Sequence, residues 1–343
     1  MKLDDRKKSI LEAVIKDYVK TAEPVGSRAI VRKYNMHVSA ATVRNEMADL
    51  EEMGFLEQPH TSSGRIPSES GFRYYVDYMM VNDELSQGEE EFLRTMLTEK
   101  IEDLSTVIQR TANVLSQITN YAAVVVGPPA NNVQFKHLQL VPVGSNQAMV
   151  IVVSDVGSVI HKRIDIPSSI RPEDLEEISK VFNANCQGTH LGDLSRTVMG
   201  SLRSELLHRR QVIDRALEVI DMAMEEEQDE KVYISGALNI VNQPEFKDFD
   251  KLRKILVALE EHDQIKKLLA ESGLKEVRIK IGNENAAEEI KELSLVFTSY
   301  EVDGKDMGRI GLIGPVRMEY WKASPSVEKV RDIVQNVLGR MLR

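Results

Sequence analysis

Apolar residues recur at three- and four-residue intervals over residues 4–21. Ile10, Leu11, Val14, Ile15, Tyr18 and Val19 share one face there, which predicts a helix with Asp4 and Asp5 at its positive end. Glu23-Pro24-Val25-Gly26 reads as a turn and Ser27 as the cap of a short helix reaching about Tyr34, with Ile30 and Val31 inward. Asn35-Met36-His37-Val38 is a second turn. Behind Ser39, a good N-cap residue, Val43, Met47 and Leu50 recur at i, i+4 and i+7 and predict a third helix, stopped by Gly54. Phe55-Leu56-Glu57-Gln58 reads as a strand with Pro59 marking an edge position, and His60-Thr61-Ser62-Ser63-Gly64-Arg65 as a polar ribbon tip. Ser68 to about Val81 returns to helical spacing, with Phe72, Tyr75 and Met79 on one face beside Tyr74 and Tyr78.

Beyond a linker at 82–88, residues 89–119 predict a helix or helix pair, and Tyr121 to Val126 a buried strand ended by Gly127-Pro128-Pro129. Strands at about 135–143, 147–154 and 158–166 are joined by Gly144-Ser145-Asn146 and Asp155-Val156-Gly157, which predicts an antiparallel meander. A helix follows from Pro172 to Phe182. A longer one runs from about Ser201 to Glu227, where the seam Ile213, Leu217, Ile220 and Met224 suits either a partner helix or the chain's own sheet. The acidic run 225–230 marks a boundary. Then come a strand from Val232, a helix over 250–271, a strand at 277–281, two strands around Asp303-Gly304 and a last helix from Ser326 to Leu342. Gly308, Gly311 and Gly314 suit close packing or a bulge better than nucleotide binding. Strands and helices mixed this way predict an α+β fold.

A chain of 343 residues predicts two or three domains. No apolar run approaches the ~18–20 residues of a membrane span, the start carries no apolar signal segment, and Cys186 is the single cysteine. The expected compartment is the cytoplasm. The net charge of −10 is unevenly distributed: residues 1–80 hold 12 basic and 12 acidic side chains, so the whole negative excess lies beyond them. A neutral head on an acidic body neutralises few phosphates, so firm grip on DNA needs two heads.

Residues 39–50 carry the most specific chemistry. Opposite the apolar stripe lie Ala41, Asn45 and Ala48, flanked by Thr42 and Arg44. Small alanines allow close approach to a surface, while Asn suits adenine and Arg suits guanine in a major groove. These polar groups stand in the first half of the helix, where recognition helices make base contacts. Ser62, Ser63 and Arg65 suit a ribbon tip touching phosphate or a minor groove, against the plainer reading of a polar hairpin. The candidate DNA-contacting residues are Ser27, Arg28, Ser39, Thr42, Arg44, Asn45, Ser62, Ser63 and Arg65, with capping the simpler role for Ser27, Ser39 and Thr42. Catalysis is not expected. The seven histidines are scattered without His-x3-His spacing, and neither a Gly-x-Ser-x-Gly elbow nor a Gly-x4-Gly-Lys-Ser/Thr loop occurs. No cofactor or metal is implied.

Pro24-Val25-Gly26-Ser27-Arg28, the stretch from Ser39 to Leu50, Glu51-Glu52-Met53-Gly54-Phe55-Leu56, Ser62-Ser63-Gly64-Arg65-Ile66-Pro67 and Gly71-Phe72-Arg73-Tyr74-Tyr75 together resemble the HrcA family of bacterial heat-shock repressors. The match is nearly continuous from 22 to 78, and the chain has the family's length. The resemblance implies a winged helix-turn-helix over 1–82, a GAF-like domain over 83–122 and 229–343, and a dimerisation domain inserted at 123–228. It also implies a homodimer that represses chaperone operons from an inverted repeat, the CIRCE operator, with the chaperonin GroEL as the partner that keeps it competent. Two alternatives stand beside it: a regulator gated by a small molecule in the GAF-like domain, and an interaction scaffold whose head contacts protein.

Overall fold

The structure, a computed structural model, describes residues 3–341 except 61–63, 99–102, 129–132, 145, 156, 158, 191–193, 195–230, 247, 271–275 and 286–289. Asp4 caps α1 (Asp5–Thr21) by accepting from the Lys7 backbone N–H at 2.8 Å. The helix buries Ile10, Leu11, Val14 and Ile15 against α2 (Ser27–Lys33) and α3 (Ala40–Glu52), which contribute Ile30, Val43, Met47 and Leu50. Gly54 ends α3 at φ +80°; its N–H bonds to Glu51 O and that of Phe55 to Leu50 O, both at 2.9 Å, so the last carbonyls are satisfied. The chain then forms β1 (Leu56–Glu57) and β2 (Ile66–Pro67), an antiparallel pair. Val25 extends this ribbon through reciprocal backbone bonds with Arg65 of 2.8 and 2.9 Å.

Ser68 caps α4 (Glu69–Tyr78), accepting from Gly71 N at 3.0 Å and donating to Gly54 O at 2.6 Å. Position 71 has no room for a side chain, since an added Cβ would lie 2.1 Å from the Phe55 carbonyl oxygen. The aromatic stripe of α4 fastens the head to the body. Phe72 meets Tyr320 and Tyr75 meets Trp321, each at 6.0 Å between ring centroids, while Tyr74 packs on Phe55 at 5.0 Å. Two arginines clasp the joint from opposite sides. Arg73 of the head pairs with Glu284 and donates to Ile279 O at 2.7 Å; Arg317 of the body pairs with Glu245 and donates to Val19 O at 2.8 Å.

The body is built on a five-stranded antiparallel sheet in the order β7-β3-β10-β9-β8, with β3 (Ala122–Val126), β7 (Val232–Ser235), β8 (Arg278–Ile281), β9 (Leu293–Val302) and β10 (Lys305–Pro315). Alternating side chains of β3 enter two cores, which is why the whole strand is apolar. Ala123 and Val125 face the core of α5 (Gln87–Thr98), α6 (Leu104–Thr119) and α11 (Tyr320–Met341). Ala122, Val124 and Val126 face that of α8 (Ala237–Val241), α9 (Phe249–Glu260) and α10 (His262–Leu268). The glycine run of β10 does pack closely, and a register shift falls between Asp306 and Gly308.

Between β3 and β7 lies the expected meander of β4 (Phe135–Gly144), β5 (Gln147–Ser154) and β6 (Val159–Asp165), with α7 (Pro172–Cys186) on one face. Ser179 and Asn183 of α7 accept from the N–H groups of Leu140 and Leu138 at 3.0 and 2.6 Å, which covers the edge of β4.

Three sequence expectations change. A boundary at 123 cuts through β3, which pairs with β10 and β7 and so lies in the larger sheet rather than in the meander. The helix over 250–271 is two helices that break at Glu261. The last helix begins at Tyr320, with Pro325 inside it. Proline has no N–H for the carbonyl four residues back, Trp321 O; that oxygen instead accepts from Asp83 N at 2.9 Å, so the linker completes the helix. The seam at 213–224 lies outside the described residues.

Candidate nucleic-acid interface

The side chain of Ser39 starts α3 by accepting from Thr42 N at 3.1 Å, and its hydroxyl lies 2.9 Å from that of Thr42. Both residues thus serve as a cap while standing at the open N-terminal end of the helix. With Val43, Met47 and Leu50 buried, Ala41, Arg44 and Asn45 are exposed together. Among the described residues neither Arg44 nor Asn45 has a side-chain partner, so their donors are available to a ligand.

Three of the four carboxylates of α3 are occupied elsewhere, and the fourth, Glu52, is exposed at its C-terminal end. Lys7 Nζ lies 2.6 Å from Glu46 and 2.9 Å from Asp49, Arg6 lies 3.4 Å from Glu46, and Arg65 lies 2.8 Å from Glu51. The bonds to Glu46, then Asp49, hold the Lys7 ammonium well above the ordinary lysine range, so it stays charged. Much of the negative charge of α3 is thereby offset.

Two candidates sit differently from their sequence reading. Ser27 is the first residue of α2 and is buried, and the N-cap is Gly26, which caps without a side chain. A hydroxyl favours the N-cap position, but here the turn ends one residue earlier than that preference places it. Arg65 points back to Glu51 rather than outward, pinning the ribbon base to the end of α3. Arg28 is exposed as expected. Arg32, which the sequence reading left out, is exposed one turn further along α2, and neither arginine has an ion-pair partner among the described residues. Their i, i+4 spacing is the signal that places both on one side of the helix. Ser62 and Ser63 lie outside the described residues.

Other chemistry is sparse. Among the described residues no group of three or more His, Cys, Asp or Glu could hold a metal ion, and no helix is long and apolar enough to cross a membrane. A cleft of about 880 Å³ opens between head and body, and two of the charged pairs in its walls are matched within the protein, Arg317 with Glu245 and Lys251 with Glu292. Cys186 is buried, and burial pushes its thiol up to about 11. We expect folded protein at pH 8 to resist a thiol reagent such as dithionitrobenzoate and to react on unfolding; rapid reaction in the native state would contradict this placement.

A compact helical head with a clean exposed helix face, set on an acidic α+β body, defines a transcription regulator. The family model for the HrcA protein C-terminal domain matches residues 105–323. Curated relatives named heat-inducible transcription repressor HrcA include that of Pelotomaculum thermopropionicum, 46% identical over 100% of this chain and 99% of the relative. That of Moorella thermoacetica is 42% identical over 100% of both. The chain belongs to the HrcA family and is a heat-inducible transcription repressor, a negative regulator of heat-shock genes. A solved crystal structure of a hypothetical protein matches the fold with a TM-score of 0.72 over 99% of each chain at 20% identity.

Proposed function

We propose that the head is a winged helix-turn-helix whose α3 enters the major groove, and that two such heads on a dimeric body hold the CIRCE inverted repeat. The observation that carries this reading is the exposed pair Arg44 and Asn45, without side-chain partners among the described residues, on a helix where Glu46, Asp49 and Glu51 are drawn aside. Arg28 and Arg32 supply phosphate contacts from α2, and Ser39 with Thr42 from the helix N-terminus. Ser62 and Ser63 are further candidates for phosphate contact. The five-stranded sheet with helices on both faces is the GAF-like part. The chain between the neighbouring strands β3 and β7 is the insert, which supports a dimerising element grafted into that sheet. The repressor works in the cytoplasm, where its operator lies.

A gel shift on an inverted-repeat duplex tests the reading. We expect binding that weakens steeply with salt, because phosphate contacts release counterions, and that exceeds binding to a scrambled duplex. Equal affinity for the two duplexes would refute it.

In this reading heat loosens the joint between head and body, where Phe72 and Tyr75 pack on Tyr320 and Trp321, Arg73 and Arg317 form ion pairs, and Glu69 accepts from Asn283. In this reading GroEL returns heat-loosened repressor to the competent form, and unfolded clients compete for it, so the active fraction falls in proportion to the load. Purified protein should lose operator binding on mild heating and recover it with GroEL and ATP. Equal recovery without the chaperonin would count against GroEL as the partner.

A further inference from the structure

Among the described residues, Lys7 is the one basic side chain of α1 that meets two carboxylates of α3 at once. Its ammonium lies 2.6 Å from Glu46, 2.9 Å from Asp49 and 3.7 Å from Asp4. Lys7 and Glu46 are only 13% and 14% exposed, so solvent screens that pair less than an ordinary surface pair, while Asp49 is half exposed. Glu46 lies on the same flank of α3 as Thr42, one turn further on, and Asp49 stands between Glu46 and Asn45 on the helix wheel, toward the exposed side. A duplex seated on Arg44 and Asn45 therefore brings its phosphate rim toward Glu46 and Asp49. Two bare carboxylates there would repel it.

We propose that Lys7 is a positioning residue for DNA binding that acts through charge: by holding Glu46 and Asp49, it removes the repulsion between the recognition helix and the phosphate backbone. This rests on the reading of α3 as the groove-entering helix. Lys7 touches no base and supplies no sequence information, so its effect is the same on every duplex. It differs in this from Arg44, whose loss is felt most on the operator. Arg6 assists from the outer side of Glu46 at 3.4 Å, with its own side chain 57% exposed and hence more screened. The arrangement explains why a head with equal numbers of acidic and basic residues can still face a polyanion. Glu46 and Asp49 are gathered around Lys7 at the flank, while Arg28, Arg32 and Arg44 have no ion-pair partner among the described residues.

The test compares full-length wild type, Lys7→Met, the pair Glu46→Gln/Asp49→Asn, and the triple combination, on an inverted-repeat duplex and an unrelated duplex across a salt series. Lys7→Met should weaken both duplexes alike, by roughly tenfold at low salt, with the loss shrinking as salt rises. Removing both carboxylates in the presence of Lys7 should tighten both duplexes. The triple variant should return to within about twofold of wild type, since the charge that Lys7 offsets is gone. A triple variant as weak as Lys7→Met, or a loss that does not change with salt, would overturn the proposal and make Lys7 a mechanical strut. Should Lys7→Met fail to fold by circular dichroism, the carboxylate pair alone decides: unchanged or weaker binding overturns the idea. These outcomes are separate from failure of the groove reading itself, in which wild type would not distinguish the two duplexes at all.

Discussion

Replacing Arg44 by alanine should abolish most of the preference for operator over scrambled DNA while leaving the fold intact. The side chain is exposed on α3 and makes no ion pair among the described residues, so its removal breaks nothing within the protein. A bidentate arginine–guanine pair discriminates by ~1–3 kcal/mol, which is about five- to 150-fold in affinity for each head. If two heads engage one operator, the loss is felt twice. Asn45→Ala should cost a similar amount at a different base pair. Arg28→Ala and Arg32→Ala, by contrast, should weaken operator and scrambled duplex together and flatten the salt dependence. Equilibrium titration on both duplexes separates the two patterns. Wild-type operator affinity for Arg44→Ala would contradict the assignment of α3.

Gly308→Ala should be among the most damaging single substitutions in the body. The residue sits at φ +129°, a conformation that side chains resist, and an added Cβ would lie 2.0 Å from Val126 O and 2.8 Å from Gly127 O. Both are backbone atoms, at the end of β3 and just past it, and cannot swing aside. Strained backbone costs ~1–3 kcal/mol and forced overpacking a similar ~1–3 kcal/mol, so a loss of about 3 kcal/mol or more is expected. β10 lies between β3 and β9, so parting it from β3 opens the middle of the five-stranded sheet. A lower urea midpoint for the body measures the effect. Gly304→Ala, where an added Cβ meets nothing within 4 Å, serves as the comparison. An unchanged midpoint for Gly308→Ala would show that the strands can part without penalty.

The helices of the head were legible because their determinants are local. Ser39 caps, Gly54 stops, and Val43, Met47 and Leu50 form a stripe whose period alone defines the buried face. The meander was legible for the same reason, with turn residues at both bends. What the sequence concealed depends on partners distant in the chain. Pro325 reads as a helix breaker until Asp83, more than two hundred residues earlier, is seen to satisfy the carbonyl it frees. The run from Ala122 to Val126 could not show which sheet the strand joins, because an evenly apolar strand fits either; only its pairing with β10 and β7 decides.

The candidate site divides along the same line. The exposure of Arg44 and Asn45 was legible on the helix wheel, since exposure on a regular helix follows from period. Arg65 was misread because its ion pair with Glu51 needs the ribbon to fold back against α3, a geometry that no local pattern carries. Ser27 was misread by one residue, the usual margin at a helix end. Arg32 was overlooked although its spacing from Arg28 was present in the sequence; charge on a short helix looks like ordinary solvation until its lack of a partner is known.

Contact between Arg44 and a guanine can be measured directly. In a series of operator duplexes, each guanine in turn is replaced by the analogue in which carbon stands for N7, and each duplex is titrated with wild type and with Arg44→Ala. At one guanine in each half-site the analogue should weaken wild type by about tenfold and leave Arg44→Ala unaffected, because the variant has already lost that bond. Losses of equal size in the two proteins at every guanine, or no loss at any, would mean that α3 does not read the major groove.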